Sequence, residues 1–276
     1  MSELCRCLEI SSSGYYSWLN RPINPRTVRD IELSQKITAI HEASRSRYGS
    51  PRIHKSLEKQ GEFVGRNRVI RLMRENDLKA VGKVKFKATT NSKHDKPIVE
   101  NLVKQKFNVS KPNHIWAGDI SYIATGEGWL YLAVVIDLFS RRVVGWAMDK
   151  HMTRHLVQNA LSMAYWRRKP KNVVIHHSDR GVQYASFDFQ KQLKTLGLQC
   201  SMSGKGNCYD NAVVESFFHT LKVELVYCQS FKTREEAKSE IFQFIEIFYN
   251  QQRLHSTIGY CSPNEFEIQY QNKLAA

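Results

Sequence analysis

The sequence predicts two kinds of structure in one chain: a mixed α/β fold built on a five-stranded sheet, preceded by a small all-helical region. β-prone and helical segments alternate from about residue 113 onward, whereas short helices separated by turns occupy residues 4–80. Positive charge is concentrated in the N-terminal part of the chain, with a net charge of +12 over residues 1–112 and +3 over residues 113–276. These observations together indicate a basic helical N-terminal region followed by an α/β domain.

The first residues form a short helical motif. Residues 4–19 join a short apolar segment to a Ser-rich turn and an aromatic segment. This pattern is typical of the second half of a helix-turn-helix, with Ser11 to Ser13 capping its helix. Its first helix would then lie upstream of Met1. A simple helical hairpin is the alternative.

Residues 28–80 predict three further helices, of which the last is the best candidate for docking on DNA. Pro51 suits the first turn of the second helix, and Asn67 is expected to cap the third. The third helix places apolar side chains inward and arginines mostly outward, which favours DNA docking over an ordinary solvated arginine face. The candidate DNA-binding residues of this region are Arg52, Arg66, Arg68, Arg71 and Arg74.

Composition narrows the class of protein. A net charge of +15 indicates a polyanionic partner. The six cysteines form no CxxC pair, so reduced structural thiols are favoured over a zinc finger. The sequence has no run of eighteen apolar residues and no basic-then-apolar start, so we expect neither a membrane span nor a signal peptide.

The second half of the chain has the element order of an RNase H-like α/β fold. A hairpin turn at residues 126–128 separates the first two strands. The expected strands are 115–123, 129–137, 142–148, 173–176 and 199–202. The expected helices are 153–166, 186–196, 210–226 and 233–249. We therefore expect a mixed five-stranded sheet with flanking helices.

Three carboxylates are placed where such a fold supports phosphodiester chemistry. Asp119 lies near the end of the first strand, Asp179 follows the fourth strand, and Glu215 lies within a helix. Chemistry with two magnesium ions needs carboxylates from separate elements, which hold the ions about 4 Å apart. Each residue alone is better explained as an ordinary turn or helix residue. In this topology the three together predict an active site.

Four motifs make the chain recognisable. They are WAGDISYI at 116–123, HHSDRGVQY at 176–184, GNCYDNAVVESFFHTLKVE at 206–224 and YNQQRLHSTIGYCSPNEF at 249–266. Between Asp179 and Glu215 lie 35 residues, as in a D-D-35-E motif. Over nearly its whole length the sequence resembles the B subunit of bacterial insertion-sequence transposases of the family numbered three. These are DDE-type enzymes with a retroviral-integrase-like core.

The resemblance implies roles for particular residues. Asp119, Asp179 and Glu215 are expected to bind two Mg²⁺ ions, with Mn²⁺ able to substitute, and to catalyse cleavage of element ends and strand transfer. Lys222 lies two helical turns after Glu215 on the same face, so it is assigned to DNA at the element end, with a plain surface lysine as the alternative. Further DNA-binding candidates are Lys205, Asn250, Arg253 and His255, of which the last three either position DNA or support the catalytic helix.

The chain departs from the family pattern at a few positions. Gly118 replaces the usual Thr, and Gly204 replaces an Arg, which is expected to weaken one phosphate contact. Asp137 and Asn211 are expected to act as turn and helix caps. Tyr122 and Trp129 are expected to be core or strand-surface residues before they are base-stacking platforms. The triad is intact, so we expect an active enzyme.

The chain is expected to consist of five parts. Residues 1–27 form a partial helix-turn-helix, 28–81 a helical DNA-binding domain, 82–112 a basic linker, 113–230 the catalytic core and 231–276 its C-terminal helical extension. The resemblance implies double-stranded partner DNA (terminal inverted repeats and target), an upstream A subunit and a homodimer or higher oligomer. It also implies a bacterial cytoplasmic, nucleoid-associated protein. The alternatives are an RNase H-like nuclease without strand transfer and a non-catalytic DNA-binding regulator.

Overall fold

The computed structural model describes residues 2–82, 99–105, 107–204 and 211–275, which fall into two units, Met1–Ala80 and Val81–Ala276. Most of the expected linker at 82–112 lies outside the described residues, as does Lys205. The expected division into five parts stays a prediction. Within the described ranges, no helix is both long and apolar enough to cross a membrane.

The first unit consists of short helices. In its described part these are α1 Ser2–Cys7, α2 Ser12–Leu19, α3 Pro25–Ala43, α4 Ser50–Lys59 and α5 Arg66–Glu75. The Ser11 hydroxyl accepts the Gly14 N–H at 3.0 Å, which confirms the predicted cap of α2. The last three helices enclose a small apolar core of Leu33, Ile37, Ile53, Leu57, Val69 and Leu72.

The start of α5 differs from the prediction. Gly65 is the last extended residue before the helix, with φ −64° and ψ 139°, so helical geometry already begins at Arg66. Asn67 therefore lies inside the first turn, and its predicted role as the helix cap is wrong. Pro51 does lie in the first turn of α4, as predicted.

A mixed five-stranded sheet forms the centre of the second unit and confirms the predicted fold class. Its strands are β1 Ile115–Thr125, β2 Gly128–Asp137, β3 Val143–Asp149, β4 Ile175–Ser178 and β5 Gln199–Met202. They are ordered β3-β2-β1-β4-β5, with β2 antiparallel to both its neighbours and β4 parallel to both of its own. Two residues, Gly126 and Glu127, form the predicted hairpin turn.

Helices cover both faces of this sheet because alternate strand residues are apolar on each side. Helices α6 (Arg154–Arg168) and α7 (Phe187–Thr195) share a buried cluster with Trp116, Ala133 and Val135. Leu132 and Val134 point to the opposite face, where α8 (Ala212–Glu224) and α9 (Arg234–Gln243) contact β1 and β2. The predicted helix at 233–249 is helical but not α-helical throughout: α9 continues as a π-helix over Phe244–Gln252. Helix α10 spans Pro263–Ala275.

Asp137 at the end of β2 is part of a buried ion network. It accepts the N–H groups of Asn113 at 2.8 Å and Phe139 at 3.0 Å, which confirms its turn-capping role. Arg168 pairs with Asp137 at 3.1 Å and with Glu267 of α10 at 2.8 Å. Burial raises the pKa of Asp137 to about 6, against the opposing effect of the two N–H donors and of Arg168. The network therefore fixes the end of the sheet to α6 and α10.

Candidate active site

Asp119 and Asp179 emerge side by side from two parallel strands. The β1–β4 ladder ends at the pair Gly118 and Ser178. Asp119 and Asp179 are the next residues of their chains, on strands about 4.8 Å apart. The predicted convergence of these two carboxylates is thus what the backbone register produces. The predicted position of Asp119 near the end of the first strand is wrong, because β1 continues along β2 as far as Thr125.

Backbone N–H groups hold each carboxylate in place. The N–H of Ile120 donates to Asp119 Oδ1 at 2.7 Å, and the N–H of Gly181 donates to Asp179 Oδ1 at 2.8 Å. A Cβ atom at Gly181 would lie 2.9 Å from that same oxygen, closer than real Cβ contacts come. Glycine at 181 therefore permits the tight turn that orients Asp179.

Glu215 is positioned by the start of α8. Asn211 occupies the N-cap of this helix, as predicted, but its amide donates to the Gly118 carbonyl at 3.3 Å instead of capping. That bond attaches α8 to β1 one residue before Asp119. Val214 and Phe217 are buried beneath the helix, which leaves Glu215 in its first turn on the exposed side.

The three carboxylates act on one another electrostatically. Burial raises the pKa of Asp119 well above its usual value, and the charges of Asp179 and Glu215 raise it further; the Ile120 N–H and the Lys222 charge oppose this. Partial burial and then the charge of Asp179 raise the pKa of Glu215. Like charges brought together in this way favour a bound cation, which would reverse both shifts.

The donor set fits a hard divalent cation. Carboxylate oxygens are the ligands that Mg²⁺ prefers, and Mg²⁺ is commonly held by one or two carboxylates with water or phosphate completing its shell. Among the described residues, no three His, Cys, Asp or Glu side chains already converge on one point as a closed cage. The assignment of Asp119, Asp179 and Glu215 as metal ligands stays a prediction.

Lys222 lies close enough to Asp119 for their charges to interact, whereas the predicted sharing of a helix face with Glu215 stays a prediction. Its side chain is largely buried, and its Nζ lies over the Tyr122 ring, 5.0 Å from the centroid. Burial lowers the pKa of Lys222, while the charge of Asp119 opposes the shift. The lysine is thus held at the catalytic centre; its predicted DNA contact stays a prediction.

Tyr184 lies near the aspartates and His176 packs against Tyr184, although the sequence analysis assigned a role to neither residue. Burial and the charges of Asp119 and Asp179 raise the pKa of Tyr184 well above its usual value. His176 packs between the rings of Tyr184 and Phe189, and burial lowers its pKa to about 3. Both residues belong to the quoted motif at 176–184, so their proximity to Asp179 was the available signal.

Two of the expected DNA contacts are packing residues instead. The Arg253 guanidinium binds the Glu224 carboxylate of α8 through two hydrogen bonds of 2.9 and 2.7 Å. The Asn250 amide exchanges two hydrogen bonds with the backbone of Val143 in β3. Because both side chains are buried, the predicted DNA contact is wrong for Arg253 and Asn250. Of the two roles left open, Arg253 thus takes the support of α8, whereas Asn250 fixes the π-helix to β3.

His255 differs from these two residues in being only half-buried. Its ring lies edge-on to Tyr249, and its Nδ1 lies 2.9 Å from the Thr257 hydroxyl. Its role stays a prediction.

The arginines of the helical unit divide into two groups. Arg68 and Arg71 both pair with Asp30 of α3 at 2.6 Å, and these two hold the pKa of Asp30 below its usual value. Arg66 and Arg74 are exposed on α5. Arg52, by contrast, lies over the ring of Tyr48, 5.7 Å from its centroid. The DNA-binding role of these five arginines stays a prediction.

Family models describe both units. Integrase core domain models match residues 109–208 and 215–270, and an HTH-like domain model matches residues 28–86. Together with the sheet order, these matches define the second unit as an integrase-type catalytic core. The predicted fold class is confirmed.

Relatives give the family. The chain is 46% identical over 270 residues to transposase InsF for insertion sequence IS3A of Escherichia coli K12, covering 97% of this chain and 93% of that protein. It is 43% identical over 272 residues to a 31 kDa protein of insertion element IS600 from Shigella sonnei, covering 99% of this chain and 100% of that protein. The chain belongs to the IS3 family of transposases.

Solved structures resemble it more distantly. A simian T-cell lymphotropic virus intasome in complex with the PP2A regulatory subunit B56 gamma matches with TM-score 0.48 and 16% identity, covering 84% of this chain and 74% of that one. The HTLV-2 integrase catalytic core domain in complex with magnesium matches with TM-score 0.41 and 19% identity, covering 56% and 97%. Both scores lie below 0.5, so the family assignment rests on the sequence relatives.

Proposed function

We propose that this transposase cleaves DNA at the ends of its insertion sequence and joins the freed 3′-OH to a second phosphodiester. The observation that carries this is the placement of Asp119 and Asp179 immediately past the last β1–β4 pair, with Glu215 on the docked helix α8. Direct transesterification needs no covalent protein intermediate, so no side chain of the protein would act as a nucleophile.

Asp119, Asp179 and Glu215 would hold two Mg²⁺ ions, with Mn²⁺ as a substitute. Bound there, the ions would activate the attacking oxygen and stabilise the leaving oxygen. The Ile120 and Gly181 N–H groups would keep the aspartates oriented during both reactions. Lys222 would neutralise a phosphate beside them, because its charge already acts on Asp119.

Sequence choice would reside mainly in the helical unit. Its exposed basic side chains suit the phosphates of the terminal inverted repeats, and the basic segment at 82–112 would follow the same DNA. Synapsis of two ends requires at least a dimer, and the family implies an upstream A subunit as a partner. Lys205 and His255 are further candidates for DNA contact.

A matched pair of variants tests the chemistry. Glu215 and Glu235 are both exposed glutamates in the first turn of a helix, α8 and α9 respectively. With labelled element-end DNA and Mg²⁺, Glu215→Gln should lower joining about 1000-fold or more, because ligand loss removes several kcal/mol of transition-state stabilisation. Glu235→Gln should join like the unmodified chain.

Other outcomes separate the alternatives. Hydrolysis without joined product by the unmodified chain would indicate a nuclease without strand transfer. Binding of end DNA with neither cleavage nor joining would indicate a regulator. Joining that survives Glu215→Gln would contradict the assigned site.

A further inference from the structure

Two aromatic side chains lie exposed on the β1–β2 hairpin next to the catalytic centre. Tyr122 is 38% exposed and Trp129 is 50% exposed, and their rings meet edge to face with centroids 5.0 Å apart. We propose that they form a stacking platform for an unpaired DNA base, an inference that rests on the proposed strand-transfer function. The sequence alone favoured an ordinary strand-surface role for both.

The platform is continuous with the catalytic centre through Lys222. Its Nζ lies 5.0 Å from the centroid of the Tyr122 ring, while its charge acts on Asp119. Tyr122 follows Asp119 by three strand residues, or about 10 Å along β1, and alternation sends the two side chains to opposite faces of the strand, so Lys222 is the side chain that joins the two places. A nucleotide whose phosphate reaches Lys222 would therefore bring its base within reach of the two rings.

The β1–β2 hairpin that carries Trp129 is held in place by contacts with residues 231–234. The Gly126 N–H donates to the Phe231 carbonyl at 2.9 Å, and Arg234 donates to the Trp129 carbonyl at 3.0 Å. A Cβ atom at Gly126 would lie 2.5 Å from the Lys232 carbonyl oxygen, so the two chain segments are in close contact. An aromatic ring on a fixed backbone loses little conformational freedom when it binds, which suits a preformed platform.

The chemistry of the patch favours a nucleotide over a protein partner. A base offers a flat π-face for the indole, and its phosphate offers a charge for Lys222, so one ligand satisfies both parts. The chain also carries a net charge of +15, which draws polyanions to it. Every base has a π-face, so stacking would hold an unpaired base at a cleaved strand end without reading its sequence.

A tailed DNA duplex tests the platform directly. The probe is a duplex with a short unpaired tail that carries 2-aminopurine beside the junction, and the blunt form of the same duplex is the reference. We expect the full chain to quench the probe and to prefer the tailed duplex. Trp129→Ala should weaken tailed-duplex binding roughly 5- to 100-fold, the range for loss of one stacked base, while blunt-duplex binding stays unchanged.

Controls separate stacking from structure. Trp129→Phe keeps an aromatic face and should restore most of the quenching. Trp166→Ala removes a tryptophan of α6 that is 65% exposed and should leave the preference intact. Circular dichroism and thermal melting of each variant would show that the fold is retained.

Three results would overturn the platform. They are an unmodified chain that shows no preference for the tail, a Trp129→Ala variant with unchanged quenching, and a Trp129→Ala variant whose only change is its oligomeric state, which would mark a protein interface. The strand-transfer function is judged separately: if the unmodified chain still joins ends and Glu215→Gln does not, only the platform has failed.

Discussion

The exposed arginines of the helical unit and the buried arginines of the catalytic unit have opposite environments. In the helical unit, Arg66 and Arg74 project from α5 into solvent. In the catalytic unit, Arg168 and Arg253 are largely buried and hold carboxylates on other helices. Arginine therefore offers charge to a ligand where it is exposed and joins elements where it is buried; the partly exposed Arg68 and Arg71 of the helical unit also join elements, through Asp30.

The difference predicts unequal effects on stability, the largest at Arg253. Arg253→Met would leave the buried Glu224 carboxylate without its two hydrogen bonds, which costs about 3–5 kcal/mol of unfolding free energy. Arg74→Met, on the exposed face of α5, should change it by less than about 0.5 kcal/mol. Urea unfolding of both variants measures the contrast.

A second variant isolates the ion pair at Arg253. Replacing Glu224 by Gln in the Arg253→Met background removes the unpaired charge, so part of the lost stability should return. A loss below about 1 kcal/mol for Arg253→Met alone would mean that the pair contributes no more than a surface one.

Long-range partners explain which expectations failed. Strands and turns were predictable because their signals are local, and the convergence of Asp119 and Asp179 was predictable because the two residues lie on neighbouring strands. Arg253 and Asn250 were not, since their partners lie 29 and 107 residues away along the chain. A sequence motif rich in polar residues cannot reveal whether its side chains face DNA or another helix.

Two glycines also differ in their surroundings, and we expect smaller effects on stability there than at Arg253. A Cβ atom at Gly118 would lie 2.9 Å from His176 Nε2, and that ring is held by Tyr184 and Phe189. Gly118→Ala should therefore cost about 1–3 kcal/mol of unfolding free energy through overpacking. Gly65→Ser adds a Cβ that meets nothing within 4 Å and suits a helix cap, so it should be neutral or stabilising.

Calorimetric or urea unfolding of these two variants checks the prediction. Equal stability of Gly118→Ala and the unmodified chain would show that His176 can move aside freely.

The smallest effect on stability is expected at the arginines that should matter most for DNA. Each phosphate that the protein no longer neutralises lowers the slope of log K against log salt by about 0.9, so the double variant Arg66→Ala, Arg74→Ala should lower it by roughly 2. Arg68→Ala is the matched control on the same helix, because Arg68 is paired with Asp30 and has less charge to offer. Fluorescence anisotropy of end DNA across a salt series measures all three chains. If the double variant keeps the full slope, α5 presents an ordinary solvated arginine face, and exposed charge in the helical unit does not mark the DNA surface.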